Sequence, residues 1–289
     1  TLYNIGVTYS YLGRYEEASD YLFGILKEDP EHYPTLVNLG AVFLQANKRD
    51  LALTYYEKAQ AIQPSPTIAF VLDALTGRQQ SSHPPQEYVV DLFDQYAAYY
   101  DQHLLNSLHY RVPDAMAKCI RDSLNPRPDS LFCIDIGCGT GLCAERISAF
   151  CHRLVGVDLA SNMIELARKK KVFTTLHCAD VCTTLEQYHG CDLVIAGDLL
   201  PYFGNLTPLF TAVSQVLKPG GSWFFSFETT HNSDYHLGPS ARFMHHPDYI
   251  NKLATEWGFT VLDSQNVALR TQQQIFVSGH LFALQKQTD

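Results

Sequence analysis

The sequence predicts two folds in one chain: an all-α array of helical hairpins over residues 1–78 and, after a linker at 79–86, a doubly wound α/β domain over 87–289. Three observations predict this. The first third repeats itself at a fixed period. Short apolar strands alternate with amphipathic helices from Leu131 onward, and a glycine-rich turn joins the first strand to the next helix.

A shift of 34 residues pairs Leu2 with Leu36, Asn4 with Asn38, Ile5 with Leu39, Gly6 with Gly40, Tyr9 with Phe43, Ala18 with Ala52, Leu22 with Tyr56 and Pro30 with Pro64. That period, with small residues at two fixed points and a closing proline, is the signature of tetratricopeptide (TPR) repeats. The Gly and Ala positions are where two antiparallel helices touch. A third copy begins at Thr67 and fades: Ala74 falls on a small position, but Gly77 and the polar stretch Gln79 to Pro85 end the pattern, so one capping helix is expected. Two and a half repeats are marginal as a free solenoid. Either more repeats precede Thr1, where the chain starts in mid-pattern as a fragment would, or the array packs on the rest of the chain. Ser81-Ser82-His83-Pro84-Pro85 reads as the linker.

From Gln86 to Leu124 the pattern is helical and rich in aromatics, and Pro126 and Pro128 stop it. Strand candidates come next at Leu131–Ile136, Leu154–Asp158, Thr174–Cys178, Leu193–Ala196 and Trp223–Phe227, with two more near Thr260–Ala268 and His280–Leu284. Helices fill most of the gaps, among them Ser161–Lys170, Leu206–Leu217 and Pro247–Trp257. Such alternation gives an open, mainly parallel sheet with ligands at the carboxyl ends of its strands.

Composition bounds the partners. A net charge of −9 argues against nucleic acid bound through its phosphates. The basic run Arg168-Lys169-Lys170-Lys171 suits the end of a helix. The eight cysteines form no CxxC pair and read as reduced thiols of a cytoplasmic protein. Cys178, Cys182, His189 and Cys191 match no metal spacing, so no metal is expected. No apolar stretch is long enough for a membrane helix, and no signal peptide is visible.

The chemistry sits at Ile134-Asp135-Ile136-Gly137-Cys138-Gly139-Thr140-Gly141. A glycine turn before a helix lets backbone approach a nucleoside closely. A loop that only cradles pyrophosphate gains nothing from an acid at its mouth, whereas a cationic ligand does; S-adenosylmethionine carries both an ammonium and a sulfonium. A nicotinamide fingerprint would need Gly where Leu142 stands. Asp158 ends the second strand and suits ribose hydroxyls, and Asp180, one β-α unit further, suits an adenine amino group. Each acid alone also fits a helix cap or a turn.

This set of motifs resembles class I S-adenosylmethionine-dependent methyltransferases, from about Gln86 to the C-terminus. The resemblance implies a Rossmann-like seven-stranded α/β domain behind the all-α TPR array, with an antiparallel final strand at one edge. It implies cofactor contacts at Asp135, Gly137, Cys138, Gly139 and Gly141, at Asp158, Leu159 and Met163, at Asp180 and Val181, and at Asp198 in the fourth-strand motif Asp192–Asp198. Leu217-Lys218-Pro219-Gly220-Gly221 matches the family's turn before the fifth strand. Residues 87–124, with Leu92-Phe93-Asp94-Gln95-Tyr96 and Tyr110-Arg111-Val112-Pro113, look like the lid helices of bacterial TPR-fused methyltransferases. Tyr96, Tyr100 and Arg111 then close over the cofactor, with Arg111 at its carboxylate; the alternative is that the tyrosines only pack between helices.

The acceptor is less legible. A sulfonium is an activated donor, so alignment of a nucleophile supplies much of the rate. Base or substrate candidates are Glu228, His231, Tyr235, His236, Arg242, His245 and His246, and Tyr202 comes after the fourth strand. Tyr202, His231, Tyr235 and Arg242 are the expected substrate contacts; no general base is assigned. A small-molecule acceptor is expected rather than a protein, with the TPR region serving a protein partner or self-association. The alternative is a non-catalytic cofactor-binding scaffold or sensor acting through its TPR groove.

Overall fold

A computed structural model describes residues 1–78, 81–272 and 275–288; Gln79 and Gln80 of the expected linker lie outside the described residues. The chain divides into two compact units, residues 1–81 with 237–242 and residues 82–236 with 243–289.

The first unit holds α1 (Leu2–Tyr11), α2 (Tyr15–Leu26), α3 (Tyr33–Gln45), α4 (Arg49–Ile62) and α5 (Pro66–Thr76). The repeated small residues are close-approach points. A Cβ on Gly6 would lie 2.9 Å from Leu22 Cγ, and one on Gly40 2.9 Å from the Tyr56 ring. Ala18 and Ala52 are fully buried in the facing helices. Gly40→Val is therefore expected to cost about 1–3 kcal/mol by overpacking, read as a lower urea midpoint; an unchanged midpoint would count against close packing there.

The second unit begins with α6 (Gln86–Tyr96), α7 (Tyr100–Gln102) and α8 (Val112–Leu124). Next in order are β1 (Leu131–Ile136), α9 (Leu142–Ile147), β2 (Cys151–Asp158), α10 (Ser161–Lys170), β3 (Thr175–Cys178), α11 (Val181–Leu185) and β4 (Cys191–Ala196). Then come α12 (Thr207–Val216), β5 (Leu217–Glu228), β6 (Tyr235–Leu237), β7 (Phe243–His245), α13 (Pro247–Glu256), β8 (Phe259–Gln272) and β9 (Ile275–Lys286). The seven-stranded sheet runs β3-β2-β1-β4-β5-β9-β8, with β1 to β5 parallel. The two sheet faces bury separate cores, one around Phe210, Trp223 and Phe225, the other around Met116, Ile120 and Phe224.

Two expectations are corrected. The antiparallel final strand is not at the edge: β9 lies between β5 and β8, and β8 is the edge strand. A long hairpin forces this, since β8 and β9 pair along most of their length. The stretch Leu217–Gly221 is not a turn ahead of β5 but part of it. Cys191 pairs with Leu217 and Leu193 with Ser222, so residues 218–221 bulge out opposite Asp192, which ion-pairs with Lys218.

The helices before the sheet are tied to it by two aspartates. Asp94 Oδ1 accepts from Asn162 N (2.8 Å) at the start of α10. Asp101 accepts from the Thr140 hydroxyl in the glycine loop and pairs with Lys170 Nζ (3.1 Å) at the end of α10. A backbone seam completes the attachment: Thr271 N donates to Leu108 O (2.6 Å) and Arg111 N to Leu269 O (3.2 Å).

Candidate active site

A cavity of about 480 Å³ opens at the carboxyl ends of β1 to β4, within the size range of small-molecule sites. Its glycine loop uses three left-handed glycines, φ +65° at Gly137, +52° at Gly139 and +89° at Gly141. Their reasons differ. A Cβ on Gly137 would meet Leu199 Cδ1 at 2.8 Å, and one on Gly141 would meet Phe173 Cε2 at 2.8 Å, so both admit neighbouring side chains. Gly139 has open space where a Cβ would stand and lines the cavity, leaving bare backbone for a ligand.

Asp135 is 1% exposed, and its Oδ2 has no hydrogen-bond partner among the described residues. Burial, then the nearby Asp158, hold its carboxyl well above the usual range, opposed by the Ala144 N–H. Asp158 is bound into the loop: Oδ2 accepts from Gly139 N (2.8 Å) and Oδ1 from Ala160 N (2.9 Å). Burial raises its pKa too, and those two N–H groups oppose the rise. Asp180 caps α11, its Oδ1 accepting from Thr183 N (2.9 Å), and also lines the cavity, so the cap and ligand readings coexist. With Asp198 the lining holds four carboxylates and, among the described residues, no Lys or Arg.

Of the expected cofactor contacts, the cavity wall includes Asp135, Gly137, Cys138, Gly139, Asp158, Leu159, Asp180, Val181, Asp198 and Tyr100, together with the substrate candidate Tyr202. Phe93 packs edge-on against Tyr202 (5.2 Å) and Tyr100 (6.2 Å). Burial pushes the Tyr100 hydroxyl far up, which keeps it a neutral donor.

The other candidates lie outside the wall. Gly141 packs on Phe173. Met163 is fully buried with Ala97 and Ala160. Tyr96 sits behind Tyr100, ring centroids 5.0 Å apart, with its hydroxyl on His103 Nδ1. Arg111 is exposed at the start of α8. His231 is exposed, Tyr235 packs against Phe243 and Tyr249, and Arg242 lies in the turn between β6 and β7. None of the seven base or substrate candidates from the stretch after β5 lines the cavity. His245 is a core residue, its Nε2 3.3 Å from Gly204 O and its pKa pushed down to about 4 by burial.

Sequence reasoning missed one wall altogether. His83, Pro84, Gln86 and Val89 line the cavity with Phe203, Asn205 and Pro208. Ser82 O accepts from Gly204 N (2.7 Å) and Asn205 N (3.2 Å), which folds the expected linker onto the loop after β4. That contact joins residues far apart in sequence, so local pattern carries no trace of it. Cys143, behind Gly197, and the largely covered Arg270, its side chain 11% exposed, were missed as well. Among the described residues, no group of three or more His, Cys, Asp or Glu is placed to hold a metal ion, and no helix is long and apolar enough to cross a membrane.

Residues 134–225, from β1 into β5, match the family model of a methyltransferase domain, and residues 1–32 and 33–66 match that of the tetratricopeptide repeat. The chain carries a methyltransferase domain behind tetratricopeptide repeats. Half of the chain is similar to the mitochondrial ubiquinone biosynthesis O-methyltransferase of Rattus norvegicus, 28% identical over 158 residues. The match spans 45% of that relative's length, so the chain covers less than half of it. Among solved structures, the [4+2]-cyclase SpnF matches with a TM-score of 0.59 at 14% identity, over 72% of this chain and 98% of that one. The 1,6-didemethyltoxoflavin-N1-methyltransferase of Burkholderia thailandensis, solved with S-adenosylhomocysteine, matches with a TM-score of 0.55 at 16% identity, over 71% and 91%. These likenesses show the fold of the methyltransferase domain.

Proposed function

We propose that the chain transfers a methyl group from S-adenosylmethionine to a small-molecule acceptor. The observation that carries this is Asp135, a buried carboxylate whose Oδ2 has no partner among the described residues, in a wall that holds four acids and, among those residues, no Lys or Arg. Such a wall favours a cationic ligand over a pyrophosphate. The residues present fit the donor. Gly139 offers bare backbone, Asp135 and Asp198 offer charge to an ammonium, and Asp158 keeps lone pairs for ribose hydroxyls while holding the loop. Asp180 Oδ1 is used by its helix, leaving the second oxygen for an adenine amino group.

Bound S-adenosylmethionine supplies a methyl group already activated on its sulfonium. The chain's contribution is positional: Phe93, Tyr100 and Tyr202 form an apolar cover that excludes water and aligns an acceptor. The O-methyltransferase relative favours an oxygen nucleophile. The TPR repeats serve a protein partner or a second copy of the chain.

Calorimetry of the full chain with S-adenosylhomocysteine tests the cofactor. Binding at one site is expected; no heat at millimolar ligand would overturn the reading. The alternative is a non-catalytic sensor. It is favoured by the absence of the seven base or substrate candidates after β5 from the cavity wall, and a cyclase on this fold means that fold alone does not commit to methyl transfer. Radiolabelled methyl turnover against a metabolite panel separates the two: product supports transfer, and binding without product supports the sensor.

A further inference from the structure

Arg270 lies near the end of β8 with its side chain 11% exposed. Its Nη2 donates to Glu228 Oε1 (2.8 Å), on the last residue of β5. Its Nη1, which carries two N–H donors, has no partner among the described residues. A buried donor left unpaired is uncommon and asks for an acceptor.

The position of this guanidinium narrows the acceptor. The seam made by Leu108, Arg111, Leu269 and Thr271 sets Tyr110 opposite Arg270, and Tyr110 lines the cavity at Gly197. Arg270's charge acts on the Tyr110 and Tyr96 hydroxyls, drawing both down against a larger rise from burial. Among the described residues the wall itself offers acids and no Lys or Arg, so a ligand carboxylate finds no counter-charge in them.

We propose that Arg270 is the receptor for a ligand carboxylate, which passes Tyr110 to reach Nη1 while Glu228 fixes the other half of the guanidinium. Arginine suits this role because its planar fork can be oriented by one carboxylate and still present N–H donors to a second. Arg111, which the family resemblance places at the cofactor carboxylate, is exposed at the start of α8. Two molecules of the proposed reaction can bring the group, the amino-acid end of the donor or a carboxylic acceptor. The proposal rests on the donor reading above.

Calorimetry on the full chain compares S-adenosylhomocysteine with S-adenosyl-3-thiopropylamine, which lacks only the carboxylate. The variant is R270M with E228Q, which removes the pair without stranding a buried carboxylate. Wild type is expected to prefer S-adenosylhomocysteine by about tenfold or more, the worth of one charge-assisted hydrogen bond. If the donor's carboxylate is the ligand, the double variant loses that preference and keeps its affinity for the decarboxylated analogue. If the acceptor's is, benzoate binds the wild-type complex with S-adenosylhomocysteine, and the double variant loses benzoate instead. Intact preference with no Arg270-dependent benzoate binding overturns the proposal, as does an equal loss of both nucleosides, which marks a structural role. Failure of wild type to bind either nucleoside sinks the donor reading and takes this proposal with it.

Discussion

Asp135→Asn is expected to make the fold more stable and to weaken ligand binding. The wild-type carboxylate is buried with one oxygen unpartnered and a second acid nearby, a costly arrangement without a cation. An amide of the same shape removes the charge and keeps one unpaired polar group there, for a gain of about 1 kcal/mol. The lost charge should weaken S-adenosylmethionine by about 30-fold or more, since stranding one partner of a buried charge pair costs roughly 2–5 kcal/mol. The pH dependence has a definite sign. The folded carboxyl sits above its ordinary range, so between the two pKa values the folded state binds more protons than the unfolded one. Wild-type stability therefore falls as pH rises from about 4, until the folded group itself ionises, and the advantage of Asp135→Asn widens over that interval. A cationic ligand favours the ionised form, so binding there releases a proton and tightens as pH rises. Urea unfolding at several pH values, with calorimetry in two buffers of different ionisation heat, reads both effects. Equal stability and equal affinity would remove Asp135 from the site.

Asp158→Ala should show the opposite stability change. Its two oxygens hold Gly139 N and Ala160 N, and deletion leaves both N–H groups without their acceptor. Each lost bond costs about 1–3 kcal/mol, partly offset because the removed carboxyl was itself raised by burial. The net loss comes to about 2 kcal/mol, together with loosening of the loop around Gly139. Nucleoside affinity should fall about 100-fold, the two contributions being a lost ribose acceptor and a lost loop anchor. Asp158→Asn should fall between, because an amide oxygen can replace one acceptor but not both. Equal binding by wild type and Asp158→Ala would sink the ribose assignment. Two aspartates of one cavity are thus told apart by the sign of their stability change.

The contrast also marks how far sequence reaches. The 34-residue period and the β-α alternation are local patterns, and the strand and helix candidates they predict fall on the elements observed, with Ser161–Lys170 matched end to end. The glycine loop and the acids at the ends of β1 and β2 and just after β3 were legible for the same reason: each lies at a fixed distance along its own strand. The rest depends on contacts between distant segments. His83 reaches the cavity only because Ser82 O binds Gly204 N, and the Arg270–Glu228 pair needs the β8–β9 hairpin to fold back on β5. The histidines after β5 misled in the other direction. Their place after the fifth strand made them base or substrate candidates, but β7 turns His245 into the core, where it stacks on Tyr249.

The seam between Leu108–Arg111 and Leu269–Thr271 has a consequence for how the chain is made. A ribosome delivers residues in order, and segments whose partners are close in sequence can fold as they emerge. The helical hairpins meet that condition, because α1 packs on α2 and α3 on α4 across short turns. The stretch around Tyr110 does not. Its partner strand is translated after β1 to β7, so this part of the cavity wall is completed only when β8 has arrived. A nascent chain halted before β8 should carry ordered repeats and an unfinished site, and it should depend on chaperones through that interval.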